Sequence, residues 1–357
     1  MTERNVPINK GNYSMDTQER ESLFEQSRGD GWEKEYAEYR RNWSEYPKQQ
    51  KVSDYPLLVD VELSSLCNLH CPMCYTITDE FKEQVNVTRM DWELYRKIID
   101  EIGGKVTAIR LSLRGEATLH PQFIEAITYA KDHGIKEVST LTHGGKLTLP
   151  YFRQMVEAGI DWITISIDGV GKTYERIRKP LKFDDVLDKI KAIKRYKEEH
   201  SLRRPVIKVQ GIWPAIAESG SDTYYNTFSP YADLVAFNPL IDYLSNDTHI
   251  EYLNEFTCPQ QYQRLVIGAD GLVMKCSNDE ENREVIGDIR KETVHQVWHG
   301  EKMQAVRDIQ LQSRGFMDSA VCRKCYLPRK TEDEAAQVGE RTFIVKNYVH
   351  RIQLIGK

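Results

Sequence analysis

The chain has 357 residues, a formal net charge of −5 and seven cysteines. That length suits one large α/β domain plus a small one; no basic stripe predicts nucleic-acid binding, and no run approaches the roughly eighteen apolar residues of a membrane span. Residues Met1 to Lys10 lack an apolar signal-peptide core, and seven cysteines in such a chain predict a reducing, cytoplasmic setting where thiols serve metal or catalysis.

Residues 1–50 are polar and charged, with a few aromatics (Trp32, Tyr36, Tyr39, Trp43, Tyr46). They read as a helical or partly disordered extension that the aromatics clamp to the main domain. From Tyr55 a βα alternation begins. Strands are predicted at Leu57–Leu63, Val106–Leu113, Lys136–Leu141, Trp162–Ile167, Val206–Gln210 and Leu234–Phe237, all rich in Val, Ile, Thr and Leu. Helical patterns fall between them at Asp91–Glu101, Pro121–His133, Leu149–Ala158, Phe183–Glu199 and Asp222–Ser229, with Gly134 and Gly159 as stops. Such alternation implies parallel strands joined by right-handed crossovers. Six units are too few for a closed eight-stranded barrel, so residues 51–250 suit an open partial barrel or a doubly wound sheet. In either, chemistry sits at the C-terminal strand ends. A smaller module is predicted over 251–335. There, Ala269-Asp270-Gly271 separates Arg264–Ile267 from Leu272–Lys275 as a hairpin turn, and a helix follows from Val294 to Gln310. Residues 336–357 read as a tail.

Cys67, Cys71 and Cys74 lie on the loop leaving the first main strand. Three thiolates at this spacing can hold three irons of a [4Fe-4S] cluster and leave the fourth iron open. A zinc site with His70 as fourth ligand is the alternative, but the spacing departs from paired Cys-x-x-Cys knuckles. The other four cysteines, Cys258, Cys276, Cys322 and Cys325, suit structural zinc or iron-sulfur equally when taken alone; beside the first set, iron-sulfur is the better reading.

The first cysteine run resembles the CxxxCxxC signature of the radical S-adenosylmethionine (SAM) superfamily, and the element order from about 55 to 245 matches that superfamily's partial (β/α)6 barrel. The resemblance implies a SAM-binding cluster at Cys67, Cys71 and Cys74. It places Gly115 and Glu116 in the motif that holds the SAM amino group, although Arg114 replaces the usual glycine there and Ala117 the usual proline. It further implies SAM contacts from Ser166, Asp168, Arg178 and Gln210. His143 takes the position of a common asparagine in Thr140 to Gly145. The segment from Cys258 to Cys325, with Ile286-Gly287-Asp288-Ile289 and Val297-Trp298, resembles the SPASM/twitch auxiliary-cluster module. Its four cysteines match the shorter twitch form, implying a second [4Fe-4S] cluster.

The resemblance thus implies reductive cleavage of SAM to a 5′-deoxyadenosyl radical that abstracts hydrogen from a substrate carbon. With no cysteine spare, a cysteine-donor epimerase is disfavoured. The expected reaction is dehydrogenation of a hydroxylated small molecule such as a sugar or aminocyclitol, with the auxiliary cluster accepting the electron. His143 and Asp279 are candidate general bases. A flavodoxin or ferredoxin is the expected electron donor, and neither nucleic acid nor membrane is an expected partner. Modification of a ribosomal peptide, a redox-neutral radical rearrangement or elimination on a sugar, and a non-catalytic iron-sulfur or zinc protein are the alternatives.

Overall fold

The βα alternation folds as one curved sheet. The structure is a computed structural model and describes residues 4–240, 250–349 and 355. In chain order the strands are β1 (Tyr13–Ser14), β2 (Leu58–Val61), β3 (Ala108–Arg110), β4 (Glu137–Thr142), β5 (Trp162–Ser166), β6 (Val206–Ile212), β7 (Leu234–Asn238), β8 (Arg264–Ile267), β9 (Leu272–Met274), β10 (Val285–Asp288), β11 (Thr331–Val338) and β12 (Arg341–Tyr348). Strands β2 to β7 pair in parallel with their neighbours. They form the partial (β/α)6 barrel that the family resemblance implies, one of the two arrangements the alternation left open. The crossover helices pack outside on Val59, Ile109, Val138, Ile163, Ile207 and Val235, all fully buried.

The inner face is unusual for parallel strands, which are commonly apolar on both faces. Because successive side chains alternate, Asp60, Arg110, Ser139, Thr164, Lys208 and Gln210 share that face, opposite the apolar residues between them.

The expected break at residue 250 does not interrupt the sheet. Strand β8 pairs in parallel with β2, and β9 and β10 extend the same sheet antiparallel. The free edge of β2 carries unpaired backbone groups, and β8 satisfies them with the apolar run Leu265-Val266-Ile267. Residues 241–249 of the expected barrel lie outside the described residues.

The N-terminal extension forms two helices, α1 (Gln18–Arg28) and α2 (Glu33–Gln49). Trp32, Tyr36, Tyr39 and Trp43, at helical spacing, pack on Leu57, Leu58 and Ala108; Phe24 packs on Trp162, Val206 and Leu234. The two helices therefore close the N-terminal strand ends. The buried Arg28 guanidinium donates to both oxygens of Glu137 at 3.0 and 2.9 Å, tying α1 to the start of β4.

Two expectations are corrected. The helix expected over 294–310 is two, Val294–His299 and Glu301–Leu311, because Gly300 between them is extended and glycine weakens a helix interior. The expected tail instead forms the β11–β12 hairpin, paired from Thr331–Tyr348 to Val338–Arg341. Gly339, at φ +57, supplies its turn, and Phe343 packs on Trp213 and Phe237. The polar run Thr-Glu-Asp-Glu in β11 hides the strand from a periodicity reading. Residues 350–354, 356 and 357 of that tail lie outside the described residues. Among the described residues, no helix is long and apolar enough to cross a membrane.

Candidate iron-sulfur centres

The first cysteine loop leaves the C-terminal end of β2 and is fastened at three points. Ser65 N–H donates to Thr88 O at 3.0 Å, Glu116 N–H to Leu66 O at 2.7 Å, and Cys74 N–H to Cys71 O at 2.9 Å. Gly115 makes the second fastening possible: a Cβ there would lie 2.3 Å from Leu66 O and 2.5 Å from the carbonyl carbon of Ser65. Only glycine allows so close a backbone approach. Gly115→Ala is therefore expected to push the cysteine loop outward. Reconstituted protein should hold less iron at the first centre, with the auxiliary set unaffected, as read by iron quantification against a variant lacking the auxiliary ligands. Undiminished iron would show that the loop tolerates the shift.

The three thiols are free. Burial raises Cys67, and it pushes Cys71 up to about 11 despite the nearby Arg178 guanidinium. Arg178 is itself held by Asp168, whose Oδ2 accepts from Nε at 2.7 Å and lies 2.6 Å from Nη2, while Oδ1 accepts the Ile212 N–H at 3.0 Å. Asp168 and Arg178 thus form a buried ion pair that directs positive charge toward Cys71. Ser166 ends β5 and stands in register with Gln210, two residues before the end of β6.

Glu116 is 2% exposed. Its Oε1 accepts from Thr118 N at 3.3 Å, Thr118 Oγ1 at 2.6 Å and Thr142 Oγ1 at 2.7 Å; Oε2 accepts the His143 N–H at 2.9 Å. These bonds fix the carboxylate between the β3 and β4 loops. His143 Nδ1 accepts the Gly145 N–H at 2.9 Å, which leaves Nε2 to donate to Asn68 Oδ1 at 2.9 Å. Burial lowers the His143 pKa, in line with an Nδ1 that accepts a hydrogen bond. Both ring nitrogens are engaged, and His143 fastens Asn68 of the cysteine loop to the end of β4.

Cys258, Cys322 and Cys325 pack with Phe256, Phe316 and Leu327, and Cys276 faces these three thiols to complete the second centre. Burial first, then mutual repulsion, pushes Cys258 up to about 12 and Cys325 to about 11, and holds Cys276 far above a free thiol. Amide donors face the sulfurs: Asn278 Nδ2 is 3.0 Å from Cys325 Sγ, Gln310 Nε2 3.7 Å from Cys322 Sγ and Gln261 Nε2 4.0 Å from Cys258 Sγ. Lys275 contributes one cation beside them, anchored on Glu284 and Ser319 at 2.7 Å each. Four thiolates so placed need more positive charge than one ammonium, and a cationic iron-sulfur core supplies it. A single zinc fits less well, since bonds of about 2.3 Å in a tetrahedron bring sulfurs to about 3.8 Å. Among the described residues, no three cysteine sulfurs lie within 4.8 Å of one another; the group that does meet that limit is Asp54, His295 and His299.

Asp279, the other expected base, stands on the loop after Cys276. Its oxygens accept the Arg283 and Glu284 N–H groups at 2.8 and 2.9 Å, and burial raises its pKa. Sequence reasoning missed how Arg114 is used. Its guanidinium donates to Glu62 at 2.8 Å (Nε) and 2.5 Å (Nη2) and to Asn282 Oδ1 at 2.8 Å. Glu62 also accepts the Arg114 and Ala269 N–H groups at 3.1 and 3.0 Å. One buried ion pair therefore joins β2, the β3 loop, the β8–β9 turn and the auxiliary loop. The available signal was a pair of opposite charges at the ends of two neighbouring strands.

Residues 61–212 match the family model of the radical SAM superfamily, and residues 258–326 match that of an iron-sulfur cluster-binding domain, SPASM. Among curated proteins, the chain is 29% identical over 153 residues to the tungsten-containing aldehyde ferredoxin oxidoreductase cofactor-modifying protein of Pyrococcus furiosus, covering 42% of each. It is 23% identical over 142 residues to Fe-coproporphyrin III synthase of Methanosarcina barkeri, covering 39% of this chain and 35% of that protein. The match thus spans less than half the length of these relatives. Among solved structures, BtrN in complex with AdoMet and 2-DOIA aligns at TM-score 0.52 and 15% identity, covering 76% of this chain and 92% of that one. Native anSMEcpe with bound AdoMet aligns at TM-score 0.57 and 15% identity, covering 76% and 88%. At these identities the two structures establish a common fold.

Proposed function

We propose, on the premise that the chain belongs to the radical SAM superfamily and carries a SPASM iron-sulfur domain, that it cleaves SAM reductively and dehydrogenates a hydroxylated small molecule, with the auxiliary cluster as electron acceptor. The observation that carries this reading is the three-plus-four division of all seven cysteines. Four clustered thiols, three of them buried and three faced by amide donors, suit a closed cluster without an open iron, whose remaining use is to move electrons.

Cys67, Cys71 and Cys74 would hold a [4Fe-4S] cluster, which when reduced would supply the electron for cleavage of SAM to methionine and a 5′-deoxyadenosyl radical. In this reading Glu116 accepts a hydrogen bond from the SAM ammonium. Its carboxylate is already oriented by Thr118, Thr142 and His143, so little ordering remains at binding. Ser166 and Gln210, level on adjacent strands, and the Asp168–Arg178 pair address the rest of SAM. Removing hydrogen from a carbinol carbon leaves a hydroxyl proton to be taken up. Of the two candidate bases, Asp279 is favoured: burial raises its pKa and each carboxylate oxygen keeps a lone pair beside its one N–H donor, whereas the single Nδ1 lone pair of His143 is used and its Nε2 donates. The electron donor proposed for the first cluster is a flavodoxin or ferredoxin.

The test changes Cys322 and Cys325 together to alanine. A folded variant is expected to form 5′-deoxyadenosine at a reduced rate but little oxidised product. Circular dichroism and iron content verify the fold, since metal and folding are coupled in such modules. An unchanged ratio of product to 5′-deoxyadenosine would make the auxiliary cluster structural and favour a redox-neutral rearrangement.

A further inference from the structure

The chain has three buried lysines among its described residues, Lys197, Lys208 and Lys275. Lys197 pairs with Asp233 and Lys275 with Glu284. Lys208, 7% exposed on the inner face of β6, makes no side-chain hydrogen bond or ion pair among the described residues. Its recorded neighbour is the Trp162 ring, 5.9 Å from Nζ. The indole Nε1 of Trp162 is buried without an acceptor.

The adjoining strands add further positive charge. Asp60 on β2 is divided between two guanidiniums, Arg110 at 2.9 Å and Arg264 at 3.2 Å. The Arg110 contact is off the hydrogen-bond axis, so its Nε–H keeps no proper acceptor. Arg28, on the same side, is neutralised by Glu137. Asp60 thus answers Arg110 and Arg264 together, while the carboxylate that acts on Lys208, Glu25, is already paired with Arg28 and Arg40. A buried charge without a counter-ion is costly unless something else answers it. The strain registers in Lys208, whose pKa falls to about 8 through burial and then through Arg28 and Arg110, with Glu25 opposing.

Depth in the barrel gives the feature meaning. Lys208 opposes Thr164, and Gln210 opposes Ser166 two residues further along. At a rise of about 3.3 Å per residue, Lys208 lies about 7 Å below the strand-end level assigned to SAM. The floor beneath is closed by α1 and α2.

We propose that Lys208, Arg110 and the Trp162 indole N–H receive the anionic group, a carboxylate or phosphate, of the substrate. This rests on the proposed function only in taking the inner face of the barrel as the substrate chamber. It selects among hydroxylated small molecules: sugar acids and phosphorylated sugars meet complementary charge, whereas a free aminocyclitol brings an ammonium to unpaired cations. The charged end would sit on the floor, with the reacting carbon toward the strand ends.

The test is a thermal-shift titration of the reconstituted holoprotein with sodium phosphate and with sodium acetate, each against sodium chloride at equal ionic strength. The parent is expected to show a saturable rise with one of the two anions, and the larger rise tells phosphate from carboxylate. Lys208→Met is expected to melt above the parent in chloride alone, because an unanswered charge is gone, and to bind the anion about tenfold more weakly or worse. Lys208→Gln repeats the measurement with a polar side chain. The proposal is overturned if neither anion gives a saturable rise, or if both variants bind within about twofold of the parent. It is also overturned if Lys208→Met melts lower and keeps the anion effect, which would make Lys208 a structural residue. The titration needs neither reductant nor SAM, so its failure and that of the dehydrogenase reading are separable.

Discussion

Arg114→Ala is expected to destabilise the protein by about 3–5 kcal/mol, the range for removing one partner of a buried ion pair. Its side chain is 1% exposed and that of Glu62 is fully buried, so neither is screened as a surface pair would be; exposed pairs contribute about 0–1 kcal/mol. The substitution leaves the Glu62 carboxylate with two backbone N–H donors, from residues 114 and 269, and no cation. It also removes the bond to Asn282, through which the barrel holds the auxiliary loop. Arg114→Gly should cost at least as much, because the same charge is stranded. The measurement is the denaturation midpoint of anaerobic holoprotein for Arg114→Ala, Glu62→Gln and their combination. Because Glu62→Gln discharges the stranded group, the combination should be less destabilised than the sum of the single changes. Additive losses, or a loss for Arg114→Ala below about 1 kcal/mol, would show that the pair is energetically idle.

Replacing Cys67, Cys71 and Cys74 together by alanine is expected to abolish 5′-deoxyadenosine formation outright. Parent protein should hold about eight irons as two [4Fe-4S] clusters and the triple variant about four. Cys258, Cys322 and Cys325 have their own core in Phe256, Phe316 and Leu327, so the auxiliary centre should assemble without the first. Anaerobic reconstitution with iron and sulfide quantification gives the first number, and chromatography of a dithionite assay gives the second. A triple variant that keeps all its iron, or still releases 5′-deoxyadenosine, would refute the assignment of those thiols.

The sequence by itself determined the frame. Runs rich in Val, Ile, Thr and Leu located the six parallel strands. Gly134 and Gly159, both at positive φ, marked two helix stops. The spacings Cys67-x3-Cys71-x2-Cys74 and Cys322-x2-Cys325 announced metal centres, because ligands on one short loop are a local property of the chain. Local chemistry also signalled the β8–β9 hairpin through Asp270-Gly271.

The tertiary structure decided whatever depends on a distant partner. Periodicity shows that Asp60, Arg110 and Lys208 share one face of a sheet, but not that Lys208 lacks an ion pair while Asp60 serves two arginines, one of them 204 residues away. It could not show that β8 would take the free edge of β2, nor that Arg28 would reach Glu137 across 109 residues. Nor could it show that Glu116 and His143 lock the loops of β3, β4 and the first cysteine set together. An isolated strand or helix records how much apolar surface it must bury and on which side. Which edge or charge it meets is fixed only when the whole sheet closes, because backbone pairing and buried charge are satisfied by neighbours in space rather than in sequence.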